Sequence, residues 1–273
     1  MSGARSKMVS VAFVLTVMTV LSVLSPTVVG LGDAEASAAG GVSSPMNVTE
    51  YPYRDFAEVV EILEETAAAH PGIARLVDIG DGWEKTQGIA DRDILAMRIT
   101  DNPDIEEGEP DVLFMARQHA NEPTPTEIAL QLIENLTDLY GSDTRMSWLV
   151  DNRDIWIIPV MNPDGMDYFT DTGENWRKNR HLNYDDSYGV DLNRNYAGSE
   201  NGDPLGEWSV GASLVPSDVD YCGEYAFSEP ETQAVRDLFL RKDFRALVSY
   251  HSFSQTIMYP WGYSEAAGAD KDA

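Results

Sequence analysis

Helix and strand patterns alternate along this chain, and that alternation limits its fold more than any other feature. Between Arg54 and His70, apolar residues recur at positions i, i+3, i+4 and i+7, which is typical of an amphipathic helix. The sequences TPTE from Thr124 and SEPE from Ser228 predict the starts of two further helices. Short apolar or alternating runs predict strands at 74–79, 93–99, 112–116, 154–160, 245–250 and 256–259. The pattern therefore predicts an α/β fold, with a largely parallel or mixed sheet covered on both faces.

The composition indicates one globular domain with an acidic surface. Hydrophobic residues make up 43% of the 273 residues, which is enough for a sizeable core. The formal net charge of −27 excludes a bare nucleic-acid-binding protein, which needs a basic face, and it disfavours attraction to an anionic membrane. The single cysteine, Cys222, cannot form an internal disulfide, and we expect it to be a buried or inert thiol.

The acidic balance, with few lysines, is typical of proteins from salt-loving organisms. Carboxylates keep such a surface hydrated, while molar salt shortens the Debye length to about 3 Å and screens their mutual repulsion. The sequence therefore favours a halophilic protein, and the alternative is an ordinary acidic protein.

The N-terminus has the pattern of a secretory signal peptide. Arg5 and Lys7 precede the apolar stretch from Met8 to Leu24, and small residues follow. We expect residues 1–39 to be the signal, 40–50 a spacer and 51–273 the globular domain. The predicted location is therefore extracellular. The alternative is an uncleaved membrane anchor, because the apolar stretch is only a little short of a spanning helix.

Three residues of metal-binding type follow two predicted strands. His119 and Glu122 come directly after the strand at 112–116, and His251 ends the strand at 245–250. Ligands bind at the carboxyl ends of strands in open α/β sheets, and two histidines with one glutamate leave the fourth zinc position open. The alternative is a surface histidine beside a glutamate at a helix start. We expect His70 and His181 to be surface residues.

Scarce cations are concentrated in two further segments. Trp176–Arg180 reads WRKNR, and 189–196 reads GVDLNRNY, with Arg194 beside two asparagines. Arginine binds carboxylates through two parallel hydrogen bonds, so these clusters favour anion recognition. The alternative is that they pair with neighbouring aspartates. NPDG at 162–165 follows the predicted strand at 154–160 and is a turn signal.

Six motifs in this order resemble the zinc carboxypeptidase family, particularly members related to carboxypeptidase T. The motifs are HxxE, NPDG, WRKNR, GVDLNRNY, FSEPET and YHSFSQTIMYPWG. The resemblance extends from about Tyr51 to the end. It implies a single α/β domain with a mixed, mostly parallel central sheet flanked by helices. It also implies a metallocarboxypeptidase that holds one Zn²⁺ per chain and hydrolyses C-terminal peptide bonds through a zinc-activated water.

The resemblance implies a role for each matching residue. The implied zinc ligands are His119, Glu122 and His251. Arg177 corresponds to the residue that stabilises the oxyanion. Asn193 and Arg194 correspond to the pair that grips the free C-terminal carboxylate of the substrate.

This chain departs from the family pattern at several points. Asn121 replaces the arginine that the family often has in HxRE, and Phe253 stands where many members have tyrosine. The sequence ends at Ala273, before the positions of the family's general-base glutamate, substrate-capping tyrosine and specificity pocket. We therefore expect a fold that is incomplete at its C-terminus and a chain that is inactive alone.

Two other functions are compatible with the same residues. One is an amidohydrolase or deacylase with the same metal set, although Arg194 with Asn193 suits peptide C-termini better. The other is a non-catalytic zinc-binding or peptide-binding module. The expected partners are the C-termini of peptides or proteins, with no nucleic acid and no stable membrane association after signal cleavage. We expect a monomer.

The acidic surface predicts stabilisation by salt. Self-repulsion at −27 destabilises the fold in dilute buffer and is screened as salt rises, so the thermal midpoint should climb between dilute buffer and molar KCl. Scanning calorimetry measures this midpoint, and sucrose at matched osmolality serves as the control because it does not screen charge. A midpoint that stays level or falls in KCl would contradict the halophilic interpretation.

Overall fold

A mixed β-sheet with helices on both faces forms the described part of the chain. The computed structural model describes residues 13–17, 53–197, 208–254 and 256–258. The strands in chain order are β1 Phe13–Val17, β2 Ala74–Asp81, β3 Asp93–Ile99, β4 Asp111–Met115, β5 Asp154–Ile158, β6 Phe244–Ser249 and β7 Ile257–Met258. Their order across the sheet is β2-β3-β5-β4-β6-β1-β7.

Parallel pairing is confined to the four strands β5, β4, β6 and β1. The pairs β5–β4, β4–β6 and β6–β1 are parallel. The pairs β2–β3, β3–β5 and β1–β7 are antiparallel. The predicted α/β fold with a mixed central sheet flanked by helices is thus confirmed. The described strand pairs divide equally between parallel and antiparallel, so the sheet is less parallel than the mostly parallel sheet that the resemblance implies.

Helices cover both faces of the sheet. Their bounds are α1 Phe56–Ala69, α2 Trp83–Thr86, α3 Thr124–Asp138, α4 Thr144–Val150, α5 Pro163–Thr172 and α6 Pro230–Arg241. Alternate residues of β5 face opposite ways, as the period of a strand requires. Ile155 and Ile157 belong to one buried cluster with residues of α1 and α3, whereas Trp156 and Ile158 belong to a second cluster with residues of α6.

The helix starts differ from those that the sequence indicates. TPTE does not form a capping box, because the N-cap of α3 is Pro123. The carboxylate of Glu127 instead accepts hydrogen bonds from Arg54, which lies just before α1. Instead, Asp55 caps α1 in a reciprocal pair with Glu58. NPDG begins a helix rather than a free turn, because the Asn162 side chain accepts a hydrogen bond from Gly165 N at 2.9 Å and caps α5.

Part of the apolar N-terminal stretch lies in the sheet. The backbone of β1 pairs in parallel with β6, in the register Phe13↔Ala246, and antiparallel with β7. This strand is not predicted from the sequence, because a continuous apolar run suits a buried parallel strand as well as a signal peptide. The rest of residues 1–39 and the spacer at 40–50 lie outside the described residues, so the signal-peptide assignment stays a prediction.

Two further observations concern membrane spans and the cysteine. Among the described residues, no helix combines the length and the apolar character that a membrane crossing requires. Cys222 is buried, as expected, and burial raises the pKa of its thiol.

His181 is only partly the surface residue that the sequence predicts, because its side chain is 24% exposed and contacts a buried carboxylate. Its Nδ1 lies 2.8 Å from Oε2 of Glu229, a carboxylate that is fully buried. The imidazole also stacks on Trp83, with 5.0 Å between the ring centroids. Burial alone lowers the pKa of His181, but the hydrogen bond to Glu229 outweighs it and the net shift is upward.

This ion pair predicts a pH-dependent contribution of His181 to stability. A raised pKa in the folded state means that the contribution is complete below the ordinary value of 6.5 and is lost as pH rises through the folded pKa. His181→Gln should therefore lower the free energy of unfolding by about 1–3 kcal/mol at acidic pH and by less at alkaline pH. Urea titrations at about pH 5.5 and about pH 9 measure the difference.

His70→Gln is the matched control for this measurement. His70 pairs at 3.1 Å with Asp138, whose side chain is 58% exposed, so its loss should change stability little at either pH. A penalty for His181→Gln that is equal at both pH values would contradict the ion-pair assignment.

Candidate metal centre

The predicted metal ligands lie together just beyond the ends of two neighbouring parallel strands, β4 and β6. β4 and β6 pair in register, with Met115 opposite Ser249, and Tyr250 N donates to Met115 O at 2.8 Å just beyond. Parallel strands end at the same edge of a sheet, so the segments that follow them meet there. His119 and His251 lie in these two segments and are each only 3% exposed.

The donor atoms of the three residues converge. His119 Nδ1 lies 2.8 Å from Glu122 Oε1, and His251 Nδ1 lies 2.9 Å from Glu122 Oε2. The two Nδ1 atoms are 3.1 Å apart. These are the three residues that the sequence predicts as a set, and the structure brings them together within 4.8 Å.

The outer nitrogens of the two imidazoles have different partners. His119 Nε2 lies 3.2 Å from Oδ1 of Asp191, which is fully buried. His251 Nε2 lies 3.2 Å from Ser249 Oγ and 3.4 Å from Asn193 Nδ2. Each ring therefore turns Nδ1 toward the centre and is held from behind through Nε2.

Both carboxylates at the centre are ionised. Burial raises the pKa of Glu122, but hydrogen bonds to His119 and His251 outweigh it and bring the pKa to about 2. The pKa of Asp191 is also about 2, because hydrogen bonding to His119 outweighs the effect of burial. Burial lowers the pKa of His119, but hydrogen bonds to Asp191 and Glu122 outweigh it and the net shift is upward. A proton on His119 therefore offsets part of the carboxylate charge, and a metal cation bound here would take the place of that proton.

The donor set fits zinc. Imidazole nitrogen and carboxylate oxygen are ligands that zinc prefers, and two histidines with one glutamate leave a coordination position open for catalysis. A carboxylate behind a ligating histidine, as Asp191 stands behind His119, is the usual outer support of such a ligand. These residues therefore fit the ion that the sequence predicts.

Arg177 lies beside this donor set. Its Nε donates to Asp191 Oδ2 at 2.9 Å, and its guanidinium approaches Glu122 Oε1 at 3.9 Å. The pairing of this arginine with an aspartate, considered above as the alternative, thus occurs, but in the centre and with a buried partner. The arginine side chain keeps 24% of its surface exposed and can face a bound molecule.

Asn193 and Arg194 lie in a single 3-10 turn, Leu192–Arg194, next to the same aspartate. Asp191 caps this turn by accepting from Asn193 N at 3.0 Å. The Arg194 guanidinium donates to Asn193 O at 3.1 Å. One nitrogen of this planar group thus bonds a backbone carbonyl, and its other donors can contact an anion.

Close backbone packing fixes the segment that carries Arg177. Ala120 N donates to Arg177 O at 3.0 Å, and Asn162 Nδ2 donates to Lys178 O at 3.1 Å. Gly189, with φ +88°, lies against this segment, and a Cβ there would be 2.6 Å from Asn179 O. Only glycine fits both the left-handed backbone and the close approach.

Two cations of the WRKNR segment have structural partners. The Lys178 amine is buried and donates to Pro216 O at 2.8 Å and to Asp218 O at 2.9 Å. The Arg180 guanidinium lies among three aromatic rings, at distances of 3.8–4.9 Å from their centroids. Those rings are Tyr168, Tyr188 and Trp176.

The departures from the family pattern lie near the centre. Asn121 Nδ2 donates to Asn175 Oδ1 at 2.7 Å, so this amide engages a neutral neighbour. Phe253, two residues after His251, is 92% exposed. Three further residues that no sequence pattern singled out are buried at the centre: Asp191, Gln118 and Ser249. Asp191 lies in the GVDLNRNY motif, and that motif was the only signal for it.

Comparison with known proteins establishes the family. A sequence profile for zinc carboxypeptidase matches residues 59–273, most of the chain. The chain therefore belongs to the zinc carboxypeptidase family. It is 32% identical over 249 residues to a zinc carboxypeptidase of Saccharothrix mutabilis subsp. capreolus, covering 85% of this chain and 54% of that protein. It is 30% identical over 225 residues to carboxypeptidase B2 of Bos taurus, covering 81% and 49%.

Solved structures agree with this assignment. The crystal structure of thrombin activatable fibrinolysis inhibitor superimposes with a TM-score of 0.71 at 29% identity, covering 80% of this chain and 52% of that one. The bovine protein in complex with tick carboxypeptidase inhibitor gives a TM-score of 0.67 at 30% identity, covering 80% and 67%. The chain spans about half the length of the curated relatives it matches.

The packing at Gly189 predicts a large cost for a single methyl group. Gly189→Ala should lower the free energy of unfolding by about 2–5 kcal/mol, because it adds overpacking to left-handed backbone strain. Urea titration measures the change. Gly141→Ala is the control, since Gly141 has φ +77° and no atom within 4 Å of its added Cβ, so only the strain of about 1–2 kcal/mol applies. Equal losses of unfolding free energy in the two variants would contradict the close packing of Gly189 against the WRKNR segment.

Proposed function

We propose that this chain carries the metal centre and the carboxylate-recognition residues of a zinc metallocarboxypeptidase that removes C-terminal residues from peptides or proteins. The observation that carries the proposal is the convergence of His119, Glu122 and His251 beside Arg177. Family membership supports it, because the relatives are carboxypeptidases. Because the chain spans about half the length of these relatives, the carboxypeptidase activity of the whole protein is also proposed.

The proposed zinc ligands are His119 Nδ1, His251 Nδ1 and the carboxylate of Glu122. When bound there, zinc would polarise the scissile carbonyl and acidify a water molecule. The hydrogen bond from His119 to Asp191 keeps the imidazole in the orientation that turns Nδ1 inward.

The two arginines have separate proposed roles. Arg177 stabilises the negative charge that develops on the carbonyl oxygen, because its guanidinium is held near the centre by Asp191 and needs no reorganisation. Arg194, with Asn193, binds the terminal carboxylate of the substrate. A cation at that place makes the enzyme recognise a chain end instead of a mid-chain bond, and it favours peptides over the substrates of an amidohydrolase.

Proton transfer requires a further group. Glu122 faces the proposed metal and Asp191 is already bonded to His119, Arg177 and Asn193 N. A general base contributes typically 10²–10⁴-fold to such hydrolysis. We propose that a carboxylate outside the described residues fills this role. We also propose that the protein is secreted and monomeric.

Zinc content is the direct test of the metal centre. The folded chain should hold about one zinc ion, and His251→Ala should lower its affinity sharply, because two remaining ligands do not form a stable site. Elemental analysis after equilibrium dialysis measures the content. Asp164→Asn, which changes a buried aspartate bonded to Glu84 N and Arg92, is the control and should keep its zinc. Equal zinc in wild type and His251→Ala would contradict the assignment.

Carboxylate recognition predicts an exopeptidase pattern. In the whole protein, Arg194→Ala should remove a charge-assisted contact worth about 1.5–3 kcal/mol, which raises KM for peptides with a free C-terminus. C-terminally amidated peptides should be poor substrates of the wild type. Arg153→Ala, which removes a cation stacked on Trp148, is the matched control. Comparable turnover of free and amidated peptides by wild type would contradict the proposal.

A further inference from the structure

The two histidines of the centre are supported unequally. Behind His119 stands the Asp191 carboxylate, whose own position is fixed by bonds from Arg177 Nε and Asn193 N. Behind His251 stands the hydroxyl of Ser249 at 3.2 Å. A serine hydroxyl rotates freely unless a neighbour fixes it. The orientation of His251 therefore depends on what holds Ser249.

Gln118 holds that hydroxyl. Its Nε2 donates to Ser249 Oγ at 2.6 Å, and the contact links the chain just after β4 to the last residue of β6. Gln118 is 1% exposed and Ser249 is 2% exposed, so water does not compete for this bond. The backbone carbonyl of Gln118 accepts from Asn162 Nδ2 at 3.1 Å, which fixes the glutamine itself.

The side-chain amide of Gln118 lowers the stability of the fold at this place. Its Oε1 is buried without a hydrogen-bond partner among the described residues, and a buried polar atom in that condition costs about 1–3 kcal/mol. An apolar side chain of similar size would avoid this cost. The contact that an apolar side chain could not make is the hydrogen bond to Ser249. The presence of glutamine here therefore indicates that this hydrogen bond has a role.

We propose that Gln118 is a positioning residue of the metal centre, acting on His251 through Ser249. The inference rests on the proposed zinc site. Of the two atoms near His251 Nε2, Asn193 Nδ2 only donates, so Ser249 Oγ is the one that can accept the Nε2 proton. With that proton kept on Nε2, Nδ1 presents its lone pair beside Glu122. Gln118 keeps the accepting oxygen in place.

A double-mutant cycle in zinc affinity tests the proposal. Gln118→Leu, Ser249→Ala and the double variant are prepared in the full chain, and competition with a chromophoric chelator gives each dissociation constant. Ser249→Ala should weaken binding about tenfold or more, as loss of a partner behind a metal ligand does. Gln118→Leu should weaken it less, by about threefold to tenfold, because Gln118 acts only through Ser249. In the Ser249→Ala background, Gln118→Leu should change the constant less than about twofold, because its route to His251 is already removed.

Controls separate positioning from general destabilisation. Gln233→Leu removes an amide that donates to Phe227 O and Ser228 O, away from the centre, and should leave zinc affinity unchanged even where urea stability falls. Gln118→Met, which keeps the length of the side chain without its amide, replaces Gln118→Leu if the leucine variant does not fold. It should give the same coupled loss of affinity.

The possible results distinguish this proposal from the metal site on which it rests. Wild-type protein that binds no zinc, or binds it equally after His251→Ala, contradicts the metal centre itself. If the wild type binds zinc and His251→Ala weakens that binding, but Gln118→Leu leaves the affinity unchanged, the proposed role of Gln118 is contradicted. An equal loss from Gln118→Leu in both backgrounds also overturns it, because the effect would then bypass Ser249.

Discussion

The parallel pairing of β4 with β6 is the constraint on which the centre depends. Met115 lies opposite Ser249, so the segments that follow leave the sheet side by side and bring together histidines 132 positions apart. A slip of one residue would turn every side chain of a strand to the other face and move the apolar residues out of the core. The two buried clusters on the faces of the sheet therefore also fix where His119 and His251 meet.

Asp191 then joins this strand-end pair to the rest of the site. It accepts hydrogen bonds from Arg177 and from Asn193 N, and it contacts the outer nitrogen of His119. A buried carboxylate is stable only when paired and hydrogen-bonded, and each of these partners contributes to that. The proposed ligand, oxyanion and carboxylate-binding residues are thus tied to one fully buried group, and a shift at one of them is felt by the others.

Much of the fold could be predicted because its signals are local. The spacing of apolar residues indicated α1, and short alternating runs indicated β3 with its bounds as observed. Helix starts were less predictable, because Glu127 contacts a residue distant in sequence, Arg54, and this tertiary contact replaces the local cap. The N-terminal run could not be assigned by periodicity, because a buried strand and a signal peptide have the same continuous apolar pattern.

The site was predictable to the extent that its residues have distinctive chemistry. Histidine and glutamate at strand ends point to a metal, whereas the supports behind them, Gln118 and Ser249, are common residue types whose role depends on a contact across two strands. The pairing of His181 could not be predicted, because its partner Glu229 lies 48 positions away and no local pattern indicates the contact. Sequence thus identifies candidate metal ligands by residue type, and the structure shows which neighbours contact them.

The placement of cations follows from the same distinction. In a chain with a net charge of −27, Lys178 lies buried against two backbone carbonyls and Arg180 lies among aromatic rings, both in the segment that carries Arg177. Exposed charges farther apart than a Debye length are screened by salt, whereas buried contacts are screened much less. Salt that relieves repulsion between surface carboxylates therefore leaves the contacts around Arg177 largely intact. An acidic surface can therefore coexist with a cluster of cations beside Arg177, because short-range contacts with backbone carbonyls and aromatic rings hold Lys178 and Arg180 in place.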